Sequence, residues 1–180
     1  EPSGKAKIGK SLIWRTLDDG RPIYNRKLSV DEVHQRIQHY ALPYQAQLQN
    51  LINEHHQQFG VCYHINCHSM SAVSGKMGEG GAGIARADVV LGDRDGTTCS
   101  AEFTHLVKDF MQQCGYDVKI NDPFKGVELV RAFSNPAQGK HSLQVELNKR
   151  LYTDSTGRGK GPHYDQLAQD LQGLTAVLAK

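Results

Sequence analysis

The chain has 180 residues, which fits a single domain with a sizeable core, since domains commonly run about 100–200 residues. Its 38% AVILMFWYC and 22% charged residues exclude a disordered or fibrous chain. Twenty-one basic against 19 acidic residues, a net +2, leave no basic excess for a dedicated nucleic-acid or anionic-membrane binder. No apolar run approaches the ~20 residues a membrane helix needs, and the polar stretch Glu1–Lys10 does not read as a signal peptide. Cys62, Cys67, Cys99 and Cys114 show no CxxC pairing, so reduced thiols in a cytoplasmic protein are expected rather than a zinc knuckle.

In chain order, residues 1–28 read as loop, with a turn signal at Asp18-Asp19-Gly20-Arg21-Pro22. Ser29-x-x-Glu32 is a capping box. The apolar residues from Val33 to Ile52 that follow recur at helical spacing. Pro43 interrupts them and predicts a kink or two helices; Gly60 is a C-cap signal. Val61–Cys67 predicts a strand, residues 69–86 a long glycine-rich loop, and Asp88–Leu91 a second strand. Ser100 caps a helix with Phe103, Leu106, Val107, Phe110 and Cys114 inward, ending at Gly115. Val118–Asn121 and Ser142–Leu147 predict two more strands, and a last helix starts from Pro162. Helices alternating with short apolar strands predict one α/β domain over 1–180, a mixed, mostly parallel sheet flanked by helices.

Several residues could carry chemistry. His64 and His68 are four apart, but on a strand they sit about 13 Å apart and cannot share one ion. His68, expected at the strand end, is the better ligand candidate, against the alternative of a hydrogen-bonded strand-end histidine. Glu146 lies in the otherwise apolar Leu143–Leu147 run. A carboxylate there either pairs with an arginine or faces a cleft and does chemistry. Adjacent strand residues point to opposite faces, so Cys67 and His68 do not form a dyad. Asp93-Arg94-Asp95-Gly96 fails as a calcium loop, because Leu91 stands at its first position; it predicts a tight turn in which Asp93 or Asp95 bonds backbone amides. Gly157–Gly161 lacks the phosphate-loop order and reads as a surface loop.

Five stretches in order carry a resemblance. They are Pro43-Tyr44, Cys67-His68-Ser69-Met70, Arg86–Arg94, Asn121-Asp122-Pro123-Phe124-Lys125-Gly126, and His141–Asn148 followed by Leu151-Tyr152. Together, over about Ile13 to Tyr152, they resemble the N-formylglutamate amidohydrolases. That family is similar in fold to the zinc carboxypeptidases and aspartoacylase. The resemblance implies hydrolysis of an N-formyl or other N-acyl amino acid at one zinc, N-formyl-L-glutamate giving formate and L-glutamate. It implies that His68 is the last zinc ligand in sequence and Glu146 the catalytic glutamate. This chain departs from the family pattern at Gln45, Ser71, Asp95 and Val127, where histidine, proline, histidine and a second glycine are usual. The first two zinc ligands, and an Asn-Arg pair for the substrate carboxylate, are expected upstream of Glu1, which makes the chain read as the C-terminal part of a longer enzyme.

In the implied chemistry, zinc lowers the pKa of its water to about 7 and Glu146 moves the proton. Arg94 and Arg131 are candidate carboxylate clamps, because guanidinium holds carboxylate with two parallel bonds; pairing with Asp93 or Glu128 is the structural alternative. The expected partner is a small molecule, with no nucleic acid and no membrane. Two other readings stay open: a non-catalytic α/β binding domain that has lost its metal site, and a thiol hydrolase using Cys67 or Cys99.

Overall fold

The computed structural model describes residues 9–10, 12–17, 19–75 and 81–179. The chain forms two compact units, Glu1–Leu51 with Val73–Ile84, and Ile52–Ala72 with Ala85–Lys180.

The first unit holds α1 (Val30–Arg36), a π-helical turn (Ile37–Ala41) and the start of α2 (Leu42–Phe59). Ser29 and Glu32 close the expected capping box. Arg26 reinforces it with two bonds to the Glu32 carboxylate, at 2.6 and 2.7 Å. The pattern divides into two helices, as expected, one ending at Arg36 and the next beginning at Leu42, one residue before the proline. The turn before it widens to π spacing, with Leu42 N–H donating to the Ile37 carbonyl, which relieves the clash of the proline ring with the preceding turn.

The second unit is built on four strands: β1 (Cys62–Met70), β2 (Val89–Gly92), β3 (Val118–Ile120) and β4 (Lys140–Asn148), in spatial order β1-β4-β2-β3. β1 runs parallel to β4 and β2 parallel to β3, while β2 and β4 are antiparallel. This is the mixed, mostly parallel α/β sheet expected. Its helices include α3 (Ala101–Gln113), a short α4 (Glu128–Ala132) that is not among the expected elements, and α5 (Tyr164–Leu178). β1 is longer than expected. It continues through Ser69 and Met70, so His68 lies within the strand rather than at its end.

Side chains two apart share a face of a strand, so the register divides the sheet. One face carries Ile65, Val89, Leu91, Val118, Leu143, Val145 and Leu147, packed against Phe103, Val107 and Met111 of α3 and Leu167 and Leu174 of α5. Val89, Leu91, Val107, Met111 and Leu143 are sealed from solvent, each worth about 1.5–3 kcal/mol of burial. Leu106 and Cys114, expected inward, are exposed, and Thr104 and Met111 take the inward positions. A 3.6-residue period fixes the stripe only to within a residue or so at its margins. α3 and α5 lie close enough that a Cβ at Gly173 would come within 3.0 Å of the Phe110 ring. No helix among the described residues is long and apolar enough to cross a membrane.

Candidate active site

The other face of the sheet is polar. Across the β1–β4 ladder, His64 pairs with Ser142, Asn66 with Gln144, His68 with Glu146 and Met70 with Asn148. Ser142, Gln144, Glu146 and Asn148 are all buried, although burying polar groups without partners is costly. Most of the partners are present. His64 Nδ1 lies 2.7 Å from Ser142 Oγ, and Asn148 Nδ2 donates to the Ala87 carbonyl at 2.9 Å.

Glu146 is 6% exposed. Its Oε1 accepts from Gln144 Nε2 at 3.0 Å and lies 3.7 Å from His68 Nδ1. The carboxylate thus faces a histidine and an amide. His68 is 35% exposed at its side chain, against 9% for Glu146, so the pair runs from solvent into the sheet. Cys67 points to the opposite face, and burial pushes its thiol up. Burial pushes Cys99 further, to about 11, with its contact to the Thr104 hydroxyl opposing. Neither cysteine has the depressed pKa of a thiol nucleophile.

The wall beside this face is the 121–127 loop. Asp93 organises its root. Its Oδ1 accepts from Gly96 N (2.9 Å) and Asn121 Nδ2 (2.6 Å), and its Oδ2 accepts from Thr104 Oγ1 (3.0 Å). This is the expected Asp93 turn, and it reaches further than a turn needs. Gly92 permits the loop to come close, since a Cβ there would lie 2.7 Å from Gly126 N and 2.8 Å from the Lys125 carbonyl carbon. Arg94, at φ 52°, donates from Nη1 to the Gly126 carbonyl at 3.0 Å. Val127 N closes the loop onto Gln144 Oε1 at 2.9 Å. Arg131, one helical turn along on α4, holds the exposed Glu128 with Nε and Nη2. The structure therefore brings His68 and Glu146 together, bonds Arg94 to the loop that touches Gln144, and places Arg131 in an exposed pair.

Sequence reasoning missed Gln144, Asn66 and Ser142. Their signal was present: Ser142, Gln144, Glu146 and Asn148 alternate along β4 and face His64, Asn66 and His68 of β1, a pattern that an isolated reading of Leu143–Leu147 does not show. A catalytic zinc takes three protein donors. Among the described residues no group of three His, Cys, Asp or Glu could hold a metal, so these residues do not make up a zinc site by themselves.

Comparison with known proteins converges on one family. The family model described as N-formylglutamate amidohydrolase matches residues 2–153. The N-formylglutamate deformylase of Pseudomonas putida is 25% identical over 148 residues, 81% of this chain and 54% of that protein. The N-formylglutamate deformylase of Pseudomonas aeruginosa is 25% identical over 142 residues, 77% of this chain and 52% of that protein. The chain thus spans about half the length of these curated relatives. The crystal structure of N-formylglutamate amidohydrolase from Ralstonia eutropha JMP134 superposes with a TM-score of 0.89 at 39% identity, covering 99% of this chain and 64% of that one. With the family model matching most of its length and the polar sheet face holding the motif residues His68 and Glu146, the chain belongs to the N-formylglutamate amidohydrolase family.

Proposed function

We propose that the chain carries the catalytic carboxylate of an amidohydrolase that removes the formyl group from an N-formyl amino acid, with N-formyl-L-glutamate as substrate. The observation that carries this reading is Glu146: a buried carboxylate on a polar sheet face, 3.7 Å from His68. In the proposed reaction Glu146 accepts a proton from water as the oxygen attacks the formyl carbon. It then delivers that proton to the amine nitrogen as the C–N bond breaks, giving formate and glutamate. His68 is proposed as one donor to a zinc whose other donors lie outside the described residues, and no step above is routed through that ion.

Of the two candidate clamps for the substrate carboxylates, Arg94 is the one proposed. Its guanidinium is bonded to the 121–127 loop that touches Gln144, whereas Arg131 is already engaged with Glu128. The described cysteines are free thiols, which supports a reducing, cytoplasmic setting. The test is formate release from N-formyl-L-glutamate by the protein that carries this chain at its full natural length, with and without added zinc, beside Glu146→Gln. Release that Glu146→Gln abolishes supports the reading. No release in either condition, or equal release by the variant, removes it.

A further inference from the structure

We propose that Gln144 is the positioning residue of this site: it fixes the Glu146 carboxylate by tying it to the 121–127 loop. The inference rests on the reading of Glu146 as the proton-transfer group. Three observations carry it. Gln144 is 1% exposed, among the most buried side chains of the molecule. An apolar side chain of similar volume would fill such a place without the cost of burying an amide. Both ends of the amide are used: Nε2 donates to Glu146 Oε1 at 3.0 Å, and Oε1 accepts from Val127 N at 2.9 Å. The second bond also fixes which end of the amide faces the carboxylate, because a backbone N–H demands an oxygen. A reversed amide would set NH₂ against N–H and oxygen against carboxylate.

The loop at the far end is itself anchored. Arg94 N donates to the Lys125 carbonyl at 2.7 Å and Arg94 Nη1 to the Gly126 carbonyl. Gln144 is also the cross-strand neighbour of Gly92, the residue whose missing side chain admits the loop. The carboxylate is thus referenced to β2 through the loop as well as to its own strand. A base must hold its oxygen within hydrogen-bond reach of the proton it takes, and displacement by about 1 Å costs on the order of 10²-fold in rate.

Two variants and two readouts test this. Gln144→Met removes both bonds at similar volume. Val127→Pro removes only the loop N–H, at a φ of −80° that proline accepts. Gln144→Met is expected to lower kcat about 10–100-fold with KM nearly unchanged, and Val127→Pro to lower it less. A merely structural glutamine would shift the melting temperature and leave kcat of the folded protein in place, which would overturn the proposal. The second readout needs no turnover: the side-chain NH₂ resonances of Gln144 in the full chain, identified by their loss in Gln144→Met. Two protons shifted from the values of an exposed glutamine, slow to exchange with solvent and moved in Glu146→Gln, support the tie; shifts of an exposed glutamine with fast solvent exchange, unmoved in Glu146→Gln, overturn it. Turnover by Glu146→Gln equal to the parent would instead remove the role of Glu146, while the amide resonances still report whether the tie exists.

Discussion

His68 and Glu146 face each other in register across two parallel strands, His68 Nδ1 standing 3.7 Å from Glu146 Oε1. That spacing is longer than a direct hydrogen bond, and it sets a partly exposed imidazole beside a buried carboxylate. Glu146→Gln keeps the shape and the neighbouring amide contact while removing the base. It is expected to lower turnover of N-formyl-L-glutamate at least about 10²-fold with an unchanged far-ultraviolet circular dichroism spectrum. A loss of only a few-fold would assign the proton step to another group.

The two arginines should separate kinetically. Arg94→Lys is expected to raise KM more than it lowers kcat, because lysine cannot grip a carboxylate with two parallel bonds. Arg131→Lys trades one exposed ion pair for another, and such pairs contribute ~0–1 kcal/mol, so its kinetics should match the parent. Steady-state kinetics of both variants check this, and the opposite ranking would move the clamp to α4.

Gly92→Ala places a methyl group against the Lys125–Gly126 backbone, at contacts of 2.7 and 2.8 Å. Backbone cannot rotate away as a side chain does, so the loop must shift. A loss of about 1–3 kcal/mol is expected, read as a lower urea midpoint. An unchanged midpoint would show that the loop yields freely.

Thr98 is 1% exposed, and its hydroxyl has no hydrogen-bond partner among the described residues. Valine has the same shape without the unsatisfied oxygen, whose desolvation costs about 1–3 kcal/mol. Thr98→Val is expected to raise the melting temperature by about 2–4 °C, the shift that roughly 1 kcal/mol gives in a chain of this size. A lower melting temperature would mean that the hydroxyl is satisfied in solution.

Burial lowers the pKa of His64 below its ordinary 6.5, and burial does the same to His141, with Glu102 opposing. A histidine that resists protonation when folded binds more protons in the unfolded chain, so stability rises with pH across this window. The contribution is complete above about pH 6.5 and is lost as pH falls below it. Urea midpoints between pH 7.5 and 5.5 should fall in the parent and fall less in His64→Gln. Equal slopes would take His64 out of the balance.

Much of this architecture was legible locally. The Ser29 capping box, the Ser100 cap, the Asp93 turn and the apolar strands are all short-range patterns, and they yielded the α/β class and the order of its elements. His68 and Glu146 came from a motif resemblance. The remainder needed register. Nothing near Gln144 in sequence shows that Val127 will reach its oxygen, or that Gly92 will lie beside it, because those contacts exist only once β4 has taken its neighbours. The π-helical turn before Pro43 was illegible for another reason: a proline says that the regular ladder fails, without saying whether the helix bends or widens.

The β1–β4 ladder also has a consequence for how the chain folds. His64 and Ser142 bond across 78 residues of sequence, and His68 and Glu146 share that separation. Closing so long a loop must be paid in chain entropy before any contact rewards it, which slows folding relative to a helical chain of similar size. Helix α3 has its cap and its turns within a single local stretch and is free to form early, whereas the histidine and the carboxylate meet only when the last-made strand docks. A slip of one residue in that docking would bring Val145 opposite His68 and turn the polar row into the apolar core. Assembly of the site and correct closure of the sheet are therefore one event, and a folding intermediate that holds α3 without β4 has no active site at all.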